Sequence, residues 1–145
     1  MSVKKIIGII VGVLFVGFLI IQLIPGGRNH DNPPVKAEPA WDSPQTKQLF
    51  YQACGDCHSN ETVWPWYSNI APVSWLVQND VDDGRAHLNV SEWGTRDMEA
   101  DDAAGMIRAE KMPLPTYLIM HPKARLNVTD RQNLIEGLSA TFGNE

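Results

Sequence analysis

The hydrophobic pattern changes character three times along the chain. From Ile6 to Ile24 nearly every residue is apolar and none is charged. As a helix this run would be about 28 Å long, close to the hydrocarbon thickness of a bilayer. Residues 25–40 follow with Pro25, Pro33, Pro34 and Pro39 and the pair Gly26-Gly27, a composition that opposes regular helix or sheet. From residue 41 the apolar positions fall at helical spacing. Ser43-Pro44 predicts a helix entrance, an N-cap with proline at the first helical position. Leu49, Phe50 and Ala53 share one face of that helix, which runs into Cys54. A second pattern, from Pro72 to about Val90, places Val73, Leu76, Val77, Val81 and Leu88 in a rough stripe weakened by Gly84. A third, Arg96 to Lys111, turns Met98, Ala103, Met106 and Ile107 inward. The fourth runs from Thr129 to about Phe142. There Thr129 and Gln132 read as a capping box, and Leu134, Ile135, Leu138 and Phe142 as the buried stripe. No alternating strand pattern and no internal repeat is visible. The expected class is all-α, with short helices and long proline-rich connections.

This divides the chain into a short N-terminus (1–5), a transmembrane anchor (6–24), a flexible tether (25–40) and one small domain (41–145). The anchor competes with a cleaved signal peptide. A signal would have a shorter apolar region followed by a small-x-small site, whereas this run ends in Leu23-Ile24-Pro25-Gly26-Gly27. Lys4 and Lys5 before the run predict a cytoplasmic N-terminus and an external domain, with Arg28 a weaker counter-signal. Gly8 and Gly12 form a G-x-x-x-G, a possible close-packing face that does not decide the oligomeric state.

Charge narrows the partners. Lys+Arg number 12 and Asp+Glu 17, for a net charge of −5. With Lys4 and Lys5 set aside, the remainder carries 10 − 17 = −7. That argues against nucleic acid, which wants a basic face, and permits steering toward a basic protein.

The chemistry is concentrated in Cys54-Gly55-Asp56-Cys57-His58, a C-x-x-C-H that uses both cysteines of the chain. This is the attachment signature of a c-type haem. Two thiols three positions apart can add to two vinyl groups on one porphyrin edge, and the next imidazole supplies the proximal iron ligand. A redox dithiol would want a βαβ context, and a structural zinc site four protein ligands. Neither context is visible. The section that follows is aromatic. Trp64, Trp66, Tyr67 and Trp75 are the rings expected to wall the haem, although such residues also fill small cores. Arg85 and Lys111 are the cations expected near the propionates, with surface ion pairs as the competing role.

Several segments together resemble the small haem-binding domain family of bacterial c-type cytochromes: the C-x-x-C-H, Ser59-Asn60, Trp64-Pro65-Trp66-Tyr67-Ser68, Ile70-Ala71-Pro72-Val73-Ser74-Trp75, Gly84-Arg85 and Ser91-Glu92-Trp93. Met112-Pro113, Tyr117 and His121-Pro122 continue the resemblance, which covers about residues 41–142. It implies a cytochrome-c-like helical domain around one covalent haem c, often membrane-tethered, and it says little about the redox partner.

The sixth iron ligand must come from Met98, Met106, Met112, Met120, His30, His87 or His121, unless the site is open. Met98 and Met106 sit at helical spacing and His30 in the tether. Met112 follows a predicted helix and precedes Pro113, which lacks an N–H and stiffens a non-helical loop. Met112 is the expected ligand, together with His58. The functional expectation is one-electron transfer by a single-pass protein of a bacterial inner membrane, with its haem domain in the periplasm. Its partners would be redox proteins, and it would carry electrons rather than act as an enzyme. The alternatives are a sensor or peroxidase-like haem with an open distal site, or an accessory haem subunit of a respiratory complex.

Overall fold

The computed structural model describes residues 1–143, so the last two residues of the expected haem domain lie outside the described residues. The described chain is all-helical, without strands. An isolated bridge pairs Ala37 with Glu92. The helices are α1 (Val3–Ile21), α2 (Pro44–Ala53), α3 (Gly55–His58), α4 (Val73–His87), α5 (Ala103–Arg108), α6 (Pro115–Met120) and α7 (Val128–Phe142). Short 3₁₀ turns occupy Trp66–Asn69 and Pro122–Ala124. The chain forms two compact units, Met1–His30 with Trp64–Asp80, and Asp31–Val63 with Val81–Glu145.

In the first unit, α1 is long and apolar enough to cross a membrane. It begins at Val3, so Lys4 and Lys5 lie in its first turn, and it ends at Ile21, with Leu23 and Ile24 in the turn beyond. The helix end is bonded to the aromatic segment. Gln22 Nε2 donates to the Ala71 carbonyl (2.9 Å), and the Ala71 N–H donates back to Gln22 Oε1 (3.0 Å). Arg28 donates to the Gln22 carbonyl and side chain. Gly27, at φ 71°, lies against Trp75 so closely that a Cβ there would come within 2.6 Å of the indole.

The second unit is built on α7. Helices α2 and α5 both pack on it, around a core of Leu49, Phe50, Leu88, Val90, Ala104, Ile107, Leu134, Ile135, Leu138 and Phe142. The stripes expected on α2 and α7 are therefore the buried ones. Trp93 stacks on Phe142 (5.0 Å between centroids), and Trp41 packs tilted on Phe50 (5.1 Å). These two indoles fill the core, as large rings do at low entropic cost. Ser43 caps α2 by accepting from the Thr46 N–H (3.1 Å), with Pro44 at N1.

Three expected elements differ. The cap of α7 is Asn127, whose side chain accepts from the Asp130 N–H (2.8 Å); Thr129 already lies inside the helix. The helix expected over Arg96–Lys111 is only Ala103–Arg108. Tertiary bonds take over the residues before it: Arg96 donates to the carbonyls of Arg85 and Ala86, and the Glu99 N–H to that of His87. On α4, Val73 and Leu76 are 42% and 51% exposed rather than part of a buried stripe, whereas Val81 is buried.

The proline-rich stretch lacks helix and strand, and its second half bonds within this unit. Asn60 donates to the Pro34 carbonyl, Asn32 to that of Thr62, the Lys36 N–H to that of Ser91, and the Trp93 N–H to that of Ala37.

Candidate haem site

Cys54, Gly55, Asp56, Cys57 and His58 form one turn of helix immediately after α2. Cys54 closes α2, its N–H donating to the Phe50 carbonyl (2.7 Å), and the His58 N–H donates back to the Cys54 carbonyl (3.0 Å). Helix α4 passes directly over this turn. A Cβ at Gly84 would lie 2.7 Å from the Cys57 carbonyl oxygen and 2.9 Å from its Cβ. Only a residue without a side chain permits that approach.

The His58 ring is oriented by its neighbour. Nδ1 lies 3.0 Å from the Leu88 carbonyl oxygen. A carbonyl can only accept, so Nδ1 carries the proton. Burial holds the imidazole below its ordinary pKa, outweighing the backbone acceptors that favour the charged form. A neutral ring protonated at Nδ1 presents the lone pair of Nε2, the state a metal ligand requires, and the carbonyl partner fixes its plane. Neither cysteine is in a disulfide. Burial, and then Cys57 beside it, pushes the Cys54 thiol up to about 12. Catalytic dithiols instead depend on a depressed thiol pKa.

A buried polar knot holds the residues after the motif. Asn89 Nδ2 donates to Asn60 Oδ1 (2.8 Å), the Ser91 N–H to Asn89 Oδ1 (3.0 Å), and the Asn60 N–H to Ser91 Oγ (2.9 Å). The Val90 N–H donates to the His58 carbonyl (3.0 Å). Ser59, Asn60, Asn89 and Ser91 are all at most 3% exposed. A fully paired buried network specifies a single arrangement, because any slip leaves polar groups unpaired. From sequence Leu88 reads only as the last apolar position of the α4 stripe, and Asn89 carries no signal. Their roles, directly after α4, emerge only once the fold brings this stretch to His58 and Asn60. Asp56 adds a second tie, with Oδ2 accepting from the Tyr117 hydroxyl (2.7 Å) and Oδ1 from the Val63 N–H (2.9 Å). Tyr117 in turn stacks on His121 (3.9 Å between centroids).

Arg85 is built into the protein. Its Nε donates to the Ser59 carbonyl, Nη1 to the Asp31 carbonyl, and Nη2 to Asn32 Oδ1 and Thr62 Oγ1, at 2.9–3.0 Å. Four of its five N–H groups are thus spent on protein oxygens. Lys111 is exposed.

Among the ligand candidates, Met112 is half-buried against the second unit's core. Helix α5 ends with Glu110 in the left-handed region (φ 58°), the Lys111 N–H on the Met106 carbonyl and the Glu110 N–H on that of Ile107. This is a Schellman closure, and it fixes the path into Met112-Pro113. Met98 lies with its sulfur 3.5 Å from the Asn89 N–H, packed against the core. Met120 is 53% exposed. His87 is exposed beside Asp83, whose carbonyl, followed by the Glu99 charge, raises its pKa.

The expected haem-wall rings fall in the first unit. Trp64 stacks on His30 (4.5 Å), whose Nε2 lies 3.2 Å from the Ser68 carbonyl. Trp66 is 72% exposed and edge-on to Tyr67 (5.7 Å). Trp75 packs on Gly26 and Gly27.

Paired thiols on one helical turn, followed by an imidazole fixed in its ligating tautomer, fit a thioether-linked haem. An all-helical chain carrying that turn has the form of a haem protein. The haem-binding domain family matches the chain over residues 16–140, and the chain belongs to that family. The match starts inside α1 and includes the whole proline-rich stretch. No curated protein and no solved structure matches the chain.

Proposed function

We propose that this protein is a membrane-anchored mono-haem c-type cytochrome that passes single electrons between redox proteins on the periplasmic side of a bacterial inner membrane. The observation that carries this reading is the His58–Leu88 bond, on the same helical turn as two cysteines. When bound, the haem supplies an iron that gains and loses one electron. The chain's residues do the rest. Cys54 and Cys57 would hold the haem through thioethers, each thiol adding across a vinyl group with sulfur on one carbon and the thiol proton on the other, so the linkage would need no oxidant. His58 serves as proximal ligand through Nε2, and the Leu88 carbonyl keeps the ring from turning. Met112 serves as the second ligand, delivered by the capped end of α5. With two protein ligands, little has to rearrange between oxidation states, and a thioether favours the ferrous form. Helix α1 holds the domain at the membrane, with the charge bias of Lys4 and Lys5 setting its orientation. The acidic remainder of the chain suits transient docking of a basic partner through a small interface. On this reading the protein is a carrier, not an enzyme.

The test is retention. Haem should stay with the polypeptide through acid-acetone extraction and on a denaturing gel, and Cys57→Ala should leave at most a single linkage and a poor yield. Haem that extracts freely from the wild-type protein refutes covalent attachment. A reporter fused at the C-terminus should be active only outside the cytoplasm, and cytoplasmic activity would reverse the orientation.

A further inference from the structure

Between Glu61 and Asp80 eighteen consecutive residues carry no charge, in a chain that is 20% charged. Several large apolar side chains of this segment stand open to solvent: Trp66 is 72% exposed, Leu76 51%, Val73 42% and Ile70 37%. Large apolar side chains open to solvent along one uncharged segment mark it as a candidate interaction surface.

The structure joins this segment to the end of α1. The reciprocal bonds between the Gln22 side chain and the Ala71 backbone, at 2.9 and 3.0 Å, leave little play between them. Gln22 directly follows the last residue of α1, and Trp75 closes on Gly26 and Gly27. A helix of that length about matches the hydrocarbon layer, so Gln22 falls at its edge. Ala71 must then sit at the same depth. The outward positions of α4 change along its length. They are apolar in the first turns, at Val73 and Leu76, and polar or acidic further on, at Asn79, Asp82 and Asp83. The apolar end is the one adjoining Ala71. Tryptophan and tyrosine are also the residues that favour the bilayer boundary, and Trp66 and Tyr67 lie in the same segment.

We infer that the start of α4, with Val73 and Leu76, lies in the headgroup layer of the bilayer that α1 crosses, so that the aromatic segment is a membrane-surface foot as well as part of the haem domain. This rests on the reading of α1 as a membrane anchor. A foot of this kind gives the unit formed by Met1–His30 and Trp64–Asp80 a second hold on the membrane beyond the single helix.

The full-length haem-loaded protein is reconstituted in phosphatidylcholine vesicles. Single Val73→Cys, Leu76→Cys, Val13→Cys and Val128→Cys variants are spin-labelled, and the wild type treated in parallel gives the background from Cys54 and Cys57. Relaxation by oxygen, which concentrates in lipid, is compared with relaxation by a water-soluble nickel chelate. The expected order of the oxygen-to-nickel ratio is Val13 highest, Val73 and Leu76 intermediate and several-fold above Val128, and Val128 water-like. A ratio at Val73 and Leu76 equal to that at Val128, with Val13 still deep, overturns the foot and leaves the anchor standing. Poor access to both reagents at Val73 and Leu76 means that protein or haem covers them, and also overturns it. A water-like label at Val13 overturns the anchor and the foot together.

Discussion

Gly84 of α4 lies so close to Cys57 that a Cβ on it would come within 2.7 Å of the cysteine carbonyl oxygen. The atoms it would meet are mostly backbone, which cannot swing aside. From sequence alone, this glycine reads as a flaw in a helix. In the fold it is what lets α4 cross the haem motif. Gly84→Ala should lower stability by about 1–2 kcal/mol, the overpacking cost exceeding the gain in helix propensity. It should also lower the yield of haem-loaded protein. Gly105→Ala is the control, since a Cβ there meets nothing within 4 Å, and it should stabilise by up to about 1 kcal/mol. Thermal unfolding with the haem-to-protein absorbance ratio reads both. Equal behaviour of the two variants would show that the crossing tolerates a methyl group.

Met112 and Met98 should separate ligation from packing. Met112→Ala should abolish the weak far-red charge-transfer band of ferric thioether-ligated haem, speed carbon monoxide binding to the ferrous form and lower the potential. Met98, packed on the core with its sulfur facing the Asn89 N–H, should behave differently. Met98→Ala should cost about 2–3 kcal/mol with the band intact. A wild-type protein that is high-spin and binds carbon monoxide at once would move the reading to a ligand-binding haem.

Arg85, the cation expected near a propionate, has a guanidinium that joins residues 31–32 to Ser59 and Thr62. Lysine keeps the charge but cannot span four acceptors. Arg85→Lys should therefore destabilise by about 2–3 kcal/mol, judged from the loss of charge-assisted bonds. The midpoint potential should hardly move. A shifted potential with unchanged stability would instead support the propionate role.

Glu38 links the proline-rich stretch to α2. Burial opposes its charge, but bonds from Lys47, Trp41 and Tyr51 outweigh burial and leave its pKa below the usual 4.5. A group whose pKa is depressed on folding stabilises the fold above its unfolded pKa, and that contribution is lost as pH falls through the folded value. Urea midpoints of the wild type should exceed those of Glu38→Gln at neutral pH, and the two should converge as the pH drops below about 4. A gap that stayed constant down to strongly acid pH would show that the carboxylate charge is not what stabilises the contact.

What the sequence determined by itself were the features written in local chemistry. An apolar run free of charge from Ile6 onward makes a membrane-length helix, because a helix bonds its own backbone and offers lipid only apolar side chains along that length. Ser43-Pro44 starts α2, since both the cap and the proline act within one turn. The stripe Leu134, Ile135, Leu138 and Phe142 is buried because helical spacing puts it on one side of α7. The C-x-x-C-H and its surroundings sufficed for the family. Tertiary structure alone decided the features that depend on distant partners. It shortened the helix expected from Arg96, where carbonyls at the end of α4 offered side-chain and backbone donors better partners than a helical turn did. It moved the cap of α7 to Asn127 and spent Arg85 inside the protein. It also put Leu88 against His58, thirty residues away in the chain. A carbonyl is present on every residue, so nothing in the letters marks the one that will orient the imidazole; only the packing of α4 across the haem motif selects it.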